Sequence, residues 1–100
     1  LKKDKIIFTV GDHDQRLFFV IEGEVGIVKG GKVVETISAG QYFGELSLLN
    51  KIPRVASAYV ISDWARIIIL PEKKMRQLLQ EDNGIAMDFL KKMAQKLQVI

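Results

Sequence analysis

The sequence predicts a mainly β domain that ends in helices, and three observations lead to this fold class. Short apolar runs separated by turn residues fill roughly the first 70 positions. Seven of the eight glycines lie before residue 45, where they divide those runs. From Pro71 onward the apolar residues change to helical spacing. The front of the chain is therefore expected to form sheets, and the back is expected to form helices.

Runs rich in Val, Ile, Phe and Tyr predict six strands, at 5–8, 17–21, 24–28, 33–38, 55–61 and 65–70. Glycine-containing or polar turns separate them, at 11–14, 22–23, 30–31, 39–40 and 62–63. Short strands at regular spacing with glycine turns are typical of an antiparallel roll or barrel. About eight strands are expected in all, because some would be too short to show an alternating pattern.

Two helices are predicted after residue 70. Pro71 suits the first turn of one helix, and Met75, Leu78 and Leu79 would share its apolar face. In the second helix the apolar residues step by 4, 3, 4 and 3, at Ala86, Leu90, Met93, Leu97 and Ile100. This is the spacing of a coiled-coil seam, sustained for about two heptads. The stripe could therefore form a homodimer through residues 86–100, or it could dock on the β structure.

Composition excludes several classes of function. The 100 residues include no cysteine and one histidine, which excludes disulfides, iron–sulfur clusters, thiolate-held zinc and multi-histidine metal sites. No apolar run approaches the roughly 18 to 20 residues of a membrane span. The net charge of +3 is spread along the chain, so this segment is not expected to contact nucleic acid directly. The chain starts at Leu1 without a signal peptide, and we expect a cytoplasmic excerpt of a longer protein.

Residues 43–58 lie between two predicted strands and do not alternate like a strand. Gly44 would let backbone approach a ligand, and a helical turn starting there would point free N–H groups outward. Arg54 offers a fork of donors that matches phosphate oxygens. Glu45 can only accept hydrogen bonds, which suits a vicinal sugar hydroxyl. Together these residues suggest a site for a phosphorylated ribose, although Glu45 and Arg54 could instead form a weak surface salt bridge.

The same segment resembles the phosphate-binding cassette of the cyclic-nucleotide-binding domain family. The resemblance lies in Phe-Gly-Glu-Leu-Ser-Leu at 43–48 and Pro-Arg-Val-Ala-Ser at 53–57. The nine-residue offset from Glu to Arg is that of the regulatory subunits of cyclic-AMP-dependent protein kinase. The family's upstream signatures are matched in order by residues 8–12, 17–25 and 39–42. The resemblance covers about residues 5–79 and implies an antiparallel β-roll, a jelly-roll-like double-stranded β-helix with a short cassette helix.

The resemblance gives each matching residue a role. Gly44, Glu45 and the backbone that follows would hold the ribose and the phosphate, with Glu45 accepting from the 2′-hydroxyl. Arg54 would pair with the phosphate oxygens, and the Val55 backbone would donate to them. Val55 favours cyclic AMP over cyclic GMP, because members that accept cyclic GMP commonly place a Thr hydroxyl there. Ser57 could partly replace that hydroxyl. The predicted ligand-binding residues are Gly44, Glu45, Leu46, Ser47, Arg54, Val55 and Ser57.

Two further residues invite a functional interpretation but have simpler ones. His13 lies between Asp12 and Asp14 as in a metal loop, but the closing Glu of a calcium loop is missing, so a polar turn is favoured. Trp64 could cover a ligand base, but an aromatic residue beside a turn more typically packs on the roll. We find no catalytic triad and no nucleoside-triphosphate-binding loop in the sequence. We therefore expect no catalytic residues, no metal site and no cofactor.

These inferences predict a sensor rather than an enzyme. We expect one domain at 1–100, with a β-roll at about 5–70, and with a helical hinge and the start of a long helix at 71–100. Bound cyclic nucleotide would order the cassette, shift Phe43, Leu46 and Leu49, and redirect the last helix near 79–84. The partner would be an effector domain or subunit outside this chain. Two alternatives are a β-roll interaction module that binds no nucleotide and a sensor of another small anionic ligand.

Overall fold

Within residues 1–45, 47 and 51–81, which the computed structural model of the protein describes, seven β-strands precede an α-helix. The strands are β1 (Ile6–Phe8), β2 (Leu17–Glu22), β3 (Glu24–Lys29), β4 (Lys32–Ser38), β5 (Tyr42–Phe43), β6 (Ser57–Val60) and β7 (Arg66–Leu70). The helix α1 spans Glu72–Glu81 and begins one residue after Pro71, which the sequence analysis placed in its first turn. Glu45 and Ser47 also have helical backbone, at the place where the sequence predicted a helical turn.

The strands form two antiparallel sheets, one in the order β1-β6-β3-β4 and the other in the order β5-β2-β7. This arrangement confirms the predicted mainly β roll. The sequence did not reveal β5, because its two residues are too few for an alternating pattern.

The strand predicted at 55–61 is the least accurate of the six, since β6 begins only at Ser57. The backbone of Arg54 explains the difference, because it is already paired with the loop that precedes β2. Its N–H donates to the Asp12 carbonyl at 2.9 Å, and its carbonyl accepts from Gly11 N–H at 2.8 Å. The chain therefore joins the β3 ladder only after Arg54 has been fixed against residues 11–12.

Three phenylalanines lie at the centre of the core and connect the two sheets. The Phe18 and Phe43 rings are stacked with centroids 4.9 Å apart, and Phe8 lies 5.7 Å from Phe18. Residues 17–21 of β2 are all buried, which explains why that strand is continuously apolar rather than alternating. The same core therefore packs directly beneath residues 43–44, where the cassette begins.

Helix α1 is linked to the loop before β2 by a side-chain hydrogen bond. Arg76 pairs with Glu72 one turn earlier at 3.0 Å and also donates to the side-chain oxygen of Gln15. The predicted second helix, the 86–100 stripe and most of the 79–84 hinge lie outside the described residues, so they remain predictions. In the part of the chain that the structure describes, no helix is long and apolar enough to span a membrane.

Candidate functional site

Gly44 starts the candidate site in a conformation that favours glycine. It follows β5 with φ of +92°, a value that side chains with a Cβ rarely adopt. A Cβ added to Gly44 would lie 2.8 Å from Arg54 Nη1 and 3.0 Å from the Arg16 carbonyl oxygen. Glycine is therefore needed both for the turn and for the close approach of the arginine.

Arg54 is the buried charge of the site, with only 3% of the residue exposed. Its Nη1 donates to the Gly44 carbonyl at 2.8 Å, and its Nη2 donates to the Arg16 carbonyl at 2.7 Å. The guanidinium lies over the Phe8 ring, 4.1 Å from its centroid. Among the described residues, its buried Nε has no hydrogen-bond partner. Within the described residues, this donor of a fixed cation is therefore unsatisfied.

Asp14 supplies the negative charge that accompanies Arg54, with its Oδ1 atom 3.4 Å from Nη2. Arg16 holds the same carboxylate through its backbone N–H, at 3.0 Å, and through its side-chain Nε, at 2.9 Å. Burial alone would raise the pKa of Asp14, but the hydrogen bonds from Arg16 and the charge of Arg54 outweigh it and lower that pKa. For the basic Arg54, burial has the opposite effect and lowers the pKa, although the attraction of Asp14 acts against this change. The Asp14 carboxylate therefore holds the buried Arg54 guanidinium in place.

An open cleft of about 110 Å³ lies in front of Arg54. Its polar wall consists of Glu35, Tyr42, Glu45, Ser47 and Arg54, together with the backbone of Gly44. Its apolar wall includes Ile27, Ile37, Phe43 and Val55. The cleft thus combines a buried cation with carboxylates and an apolar surface.

Five of the predicted ligand-binding residues line this cleft together: Gly44, Glu45, Ser47, Arg54 and Val55. Ser57 instead lines a neighbouring cavity, which it shares with Val55, and its hydroxyl accepts from the Val10 N–H at 3.0 Å. Leu46 lies outside the described residues, as does Leu49. The predicted roles of all seven residues remain predictions at this point.

The structure decides between two interpretations of Arg54 that the sequence left open. Arg54 does not form a surface salt bridge with Glu45, because it is buried and its carboxylate partner is Asp14. Neither Glu45 nor Glu35 has a hydrogen bond or ion pair within the described part of the chain. Both carboxylates at the cleft are therefore available to accept hydrogen bonds from a ligand.

Sequence reasoning missed Asp14, Arg16 and Glu35. Asp14 was interpreted only as part of a polar turn, although a buried arginine anywhere in the chain requires a carboxylate partner. Glu35 gave no signal, because a charged residue in an edge strand usually faces solvent. Trp64, which was expected to pack on the roll, is 53% exposed and is not among the residues that line the cleft. Within the described residues, no group of three or more potential metal ligands occurs.

A profile of the family described as "Cyclic nucleotide-binding domain" matches residues 1–82. The chain belongs to this family. It is a binding domain, and the β-roll fold that the sequence resemblance implied is confirmed.

Similar proteins include kinases that respond to different nucleotides. The chain is 33% identical over 91 residues to a cAMP-dependent protein kinase regulatory subunit of Mycosarcoma maydis, covering 83% of the chain and 17% of that protein. It is 31% identical over 75 residues to cGMP-dependent protein kinase, isozyme 1, of Drosophila melanogaster, covering 75% of the chain and 10% of that protein. The chain thus spans less than a fifth of the length of either relative.

A similar solved structure is a mutant regulatory subunit of a cAMP-independent protein kinase A from Trypanosoma brucei, bound to cAMP in its A site. The TM-score is 0.74 at 28% sequence identity, and the match covers 78% of this chain and 29% of that chain. In that protein the cyclic nucleotide is a bound ligand.

Proposed function

We propose that the chain is a cyclic-nucleotide sensor module that prefers cyclic AMP to cyclic GMP and transmits binding through its C-terminal helices. The observation that carries this proposal is the buried Arg54 guanidinium, whose Nε lacks a partner within the described residues, at a cleft that also contains Gly44 and Glu45. A fixed, buried cation with an unsatisfied donor at a cleft favours an anion.

The polar wall of the cleft supports binding of a cyclic phosphate joined to a ribose. Arg54 would meet the exocyclic phosphate oxygens, and the backbone after Gly44 would add N–H donors at the start of a helical turn. Glu45 has no partner within the described chain and would accept from the ribose 2′-hydroxyl. Ser47 is buried beside them and its hydroxyl would help to cap that turn.

Val55 supports the preference for cyclic AMP. It lines the cleft, it is 44% exposed, and it has no hydroxyl with which to satisfy the polar groups of guanine. An unsatisfied polar group costs about 1–3 kcal/mol when it is fully buried, and because Val55 is partly exposed we expect a cost at the lower end of this range. Ser57 could offset part of this cost, but it lies at the neighbouring cavity and its oxygen already accepts from Val10.

Contacts behind Arg54 support transmission toward α1. Arg54 contacts Asp14, the next residue Gln15 contacts Arg76, and Arg76 lies in α1. A phosphate that moves Arg54 would therefore move the 14–16 loop and, through it, the helix. Signal output requires an effector domain or subunit outside this chain, and homodimerisation through residues 86–100 stays a separate prediction that sedimentation of the protein would test.

The decisive experiment is isothermal titration of the protein with cyclic AMP and with cyclic GMP. We expect wild-type protein to bind cyclic AMP more tightly, and Arg54→Ala to lose about 100-fold or more in affinity for both nucleotides. Arg66→Ala is the matched control, because Arg66 forms only an exposed ion pair with Glu22. It should leave both affinities unchanged.

Wild-type protein that binds neither nucleotide at millimolar concentration would contradict the proposal. A β-roll interaction module or a sensor of another small anion would then be favoured, and a rise in melting temperature with other anions would separate those two. Hydrogen exchange tests transmission: cyclic AMP should slow exchange in residues 14–16 and 72–81 as well as in the cassette. Protection confined to the cassette would contradict transmission without affecting the binding proposal.

A further inference from the structure

The Asp14 carboxylate is shared by two arginines, and it contacts them unequally. Arg16 binds it with both donors on one edge of its guanidinium, from Nε to Oδ1 at 2.9 Å and from Nη2 to Oδ2 at 2.9 Å. The Arg16 backbone N–H also donates to Oδ1, at 3.0 Å. Arg54 approaches the same carboxylate only through Nη2, which lies 3.4 Å from Oδ1. The closer, bidentate partner of Asp14 is therefore Arg16.

The charges of these three side chains leave a positive excess. Two guanidiniums share one carboxylate, so the group carries one net positive charge. The pKa of Arg16 is raised, chiefly by its side-chain hydrogen bond to Asp14, whereas the pKa of Arg54 is lowered, chiefly by burial. Without the Arg16 side chain, Asp14 and Arg54 would form a neutral pair beside the cleft. Arg16 thus preserves the positive charge that an anion in the cleft would meet.

The edge of the Arg54 guanidinium that carries Nε and Nη2 is the part that Asp14 could occupy. Nη2 donates to the Arg16 carbonyl at 2.7 Å, and the buried Nε has no partner within the described residues. The two guanidiniums are close neighbours, with central carbons 5.2 Å (Arg16) and 5.6 Å (Arg54) from the centroid of the Phe18 ring. A carboxylate released by Arg16 would favour bidentate pairing with Arg54, and it would then take donors that a phosphate needs.

We propose that Arg16 is a positioning residue of the anion site, which holds Asp14 away from Arg54 and so keeps the Nε edge of Arg54 available to the cyclic phosphate. This inference rests on the proposed function and deepens it, because anion affinity would then depend on two arginines rather than on Arg54 alone. Arg16 is not among the residues that line the cleft, so it would act only through Asp14 and Arg54.

The test is isothermal titration of Arg16→Met with cyclic AMP. Methionine keeps an unbranched side chain that can pack on the Phe18 ring, but it removes the charge and the donors. We expect binding about five- to tenfold weaker than in wild type. Adding Asp14→Asn to Arg16→Met should restore most of this loss, because a neutral amide no longer competes for Arg54. Arg16→Lys keeps the charge and should bind more tightly than Arg16→Met.

Two controls separate this role from simpler ones. Arg66→Met removes the same charge from an exposed ion pair with Glu22, and it should leave the affinity unchanged. Asp14→Asn alone breaks the same pair as Arg16→Met. If that pair only kept the loop in shape, Asp14→Asn would weaken binding as much as Arg16→Met does. Urea denaturation checks that each variant folds, which we expect because the Arg16 side chain is 43% exposed.

The outcomes distinguish this inference from the proposed function. Weaker binding by Arg16→Met that Asp14→Asn restores would support the inference. If Arg16→Met binds cyclic AMP as tightly as wild type, or if the double variant stays as weak as Arg16→Met, the inference is wrong and the proposed function stands. If wild-type protein does not bind cyclic AMP at millimolar concentration, the proposed function fails and this inference fails with it.

Discussion

The two ends of the cleft differ in how firmly the fold holds them. At one end Arg54 is buried, and it is fixed by the carbonyls of Gly44 and Arg16 and by the Phe8 ring. Two other lining residues, Glu35 and Val55, are exposed and make up the exposed end of the lining, although Val55 directly follows Arg54 in the chain. Substitutions at the buried end should therefore change stability and affinity together, whereas substitutions at the exposed end should change only the preference among nucleotides.

Substitutions at the buried end are expected to destabilise the fold, because one side chain connects three segments of the chain. Arg54 joins the loop before β2, the end of β5 and the core under β1, so its hydrogen bonds belong to the fold as much as to the site. Removing it would leave the carbonyls of Gly44 and Arg16 without this donor, and the Asp14 carboxylate would keep only its contacts with Arg16. At the exposed end, no hydrogen bond or ion pair among the described residues involves the side chain of Glu35 or Val55.

The largest effect is expected for Arg54→Ala. The free energy of unfolding should fall by about 3 kcal/mol, because a buried charge and its hydrogen bonds are lost and Asp14 keeps only Arg16 as its partner. Urea denaturation measures this change. Arg54→Lys keeps the charge but not the fork, and should recover only part of the stability. An Arg54→Ala protein as stable as wild type would show that the buried arginine serves the ligand alone.

Gly44→Ala should be the next most disruptive. The new Cβ would contact Arg54 Nη1 at 2.8 Å in a backbone conformation with φ of +92°, so we expect a loss of about 2–3 kcal/mol and weaker binding. Gly11→Ala is a matched control, because Gly11 has φ of +89° but a Cβ there would meet nothing within 4 Å. Equal losses in the two variants would mean that backbone strain, and not displacement of Arg54, is responsible.

Asp14→Asn should remove a pH-dependent part of the stability. Because the folded state lowers the pKa of Asp14 below 3.8, the ionised carboxylate stabilises the protein above the ordinary value, and that stabilisation is lost as the pH falls through the lowered pKa. The variant should be about 1 kcal/mol less stable at pH 7 and should approach wild type in acid. Urea midpoints from pH 7 to pH 3 test this. Asp63→Asn, at an exposed position, should follow the wild-type profile.

The smallest effect is expected for Val55→Thr at the exposed end. A hydroxyl there should raise affinity for cyclic GMP by about three- to tenfold relative to cyclic AMP, with unchanged unfolding energy. Titration with both nucleotides measures the ratio, and urea denaturation checks the stability. A change in stability comparable to that of Gly44→Ala would contradict the proposed difference between the two ends.

Strand locations were largely predictable from sequence, because apolar runs and glycine turns report on local burial. The runs at 17–21 and 24–28 correspond to β2 and β3, with ends that differ by one residue. The start of β6 was not predictable, since it depends on a backbone pairing between Arg54 and residues 11–12 that are distant in sequence. The two-residue strand β5 exists only through its pairing with β2.

The sequence by itself determined the fold class and the cassette, because periodicity, turn residues and the Gly44, Glu45 and Arg54 spacing are local properties of the chain. Tertiary structure decided what surrounds that cassette. It placed Asp14 behind Arg54 and Glu35 across the sheet, since burial in a core and pairing between strands bring together residues that no local pattern connects. Long-range packing turned a motif with a candidate phosphate contact into a cleft with a buried end and an exposed end.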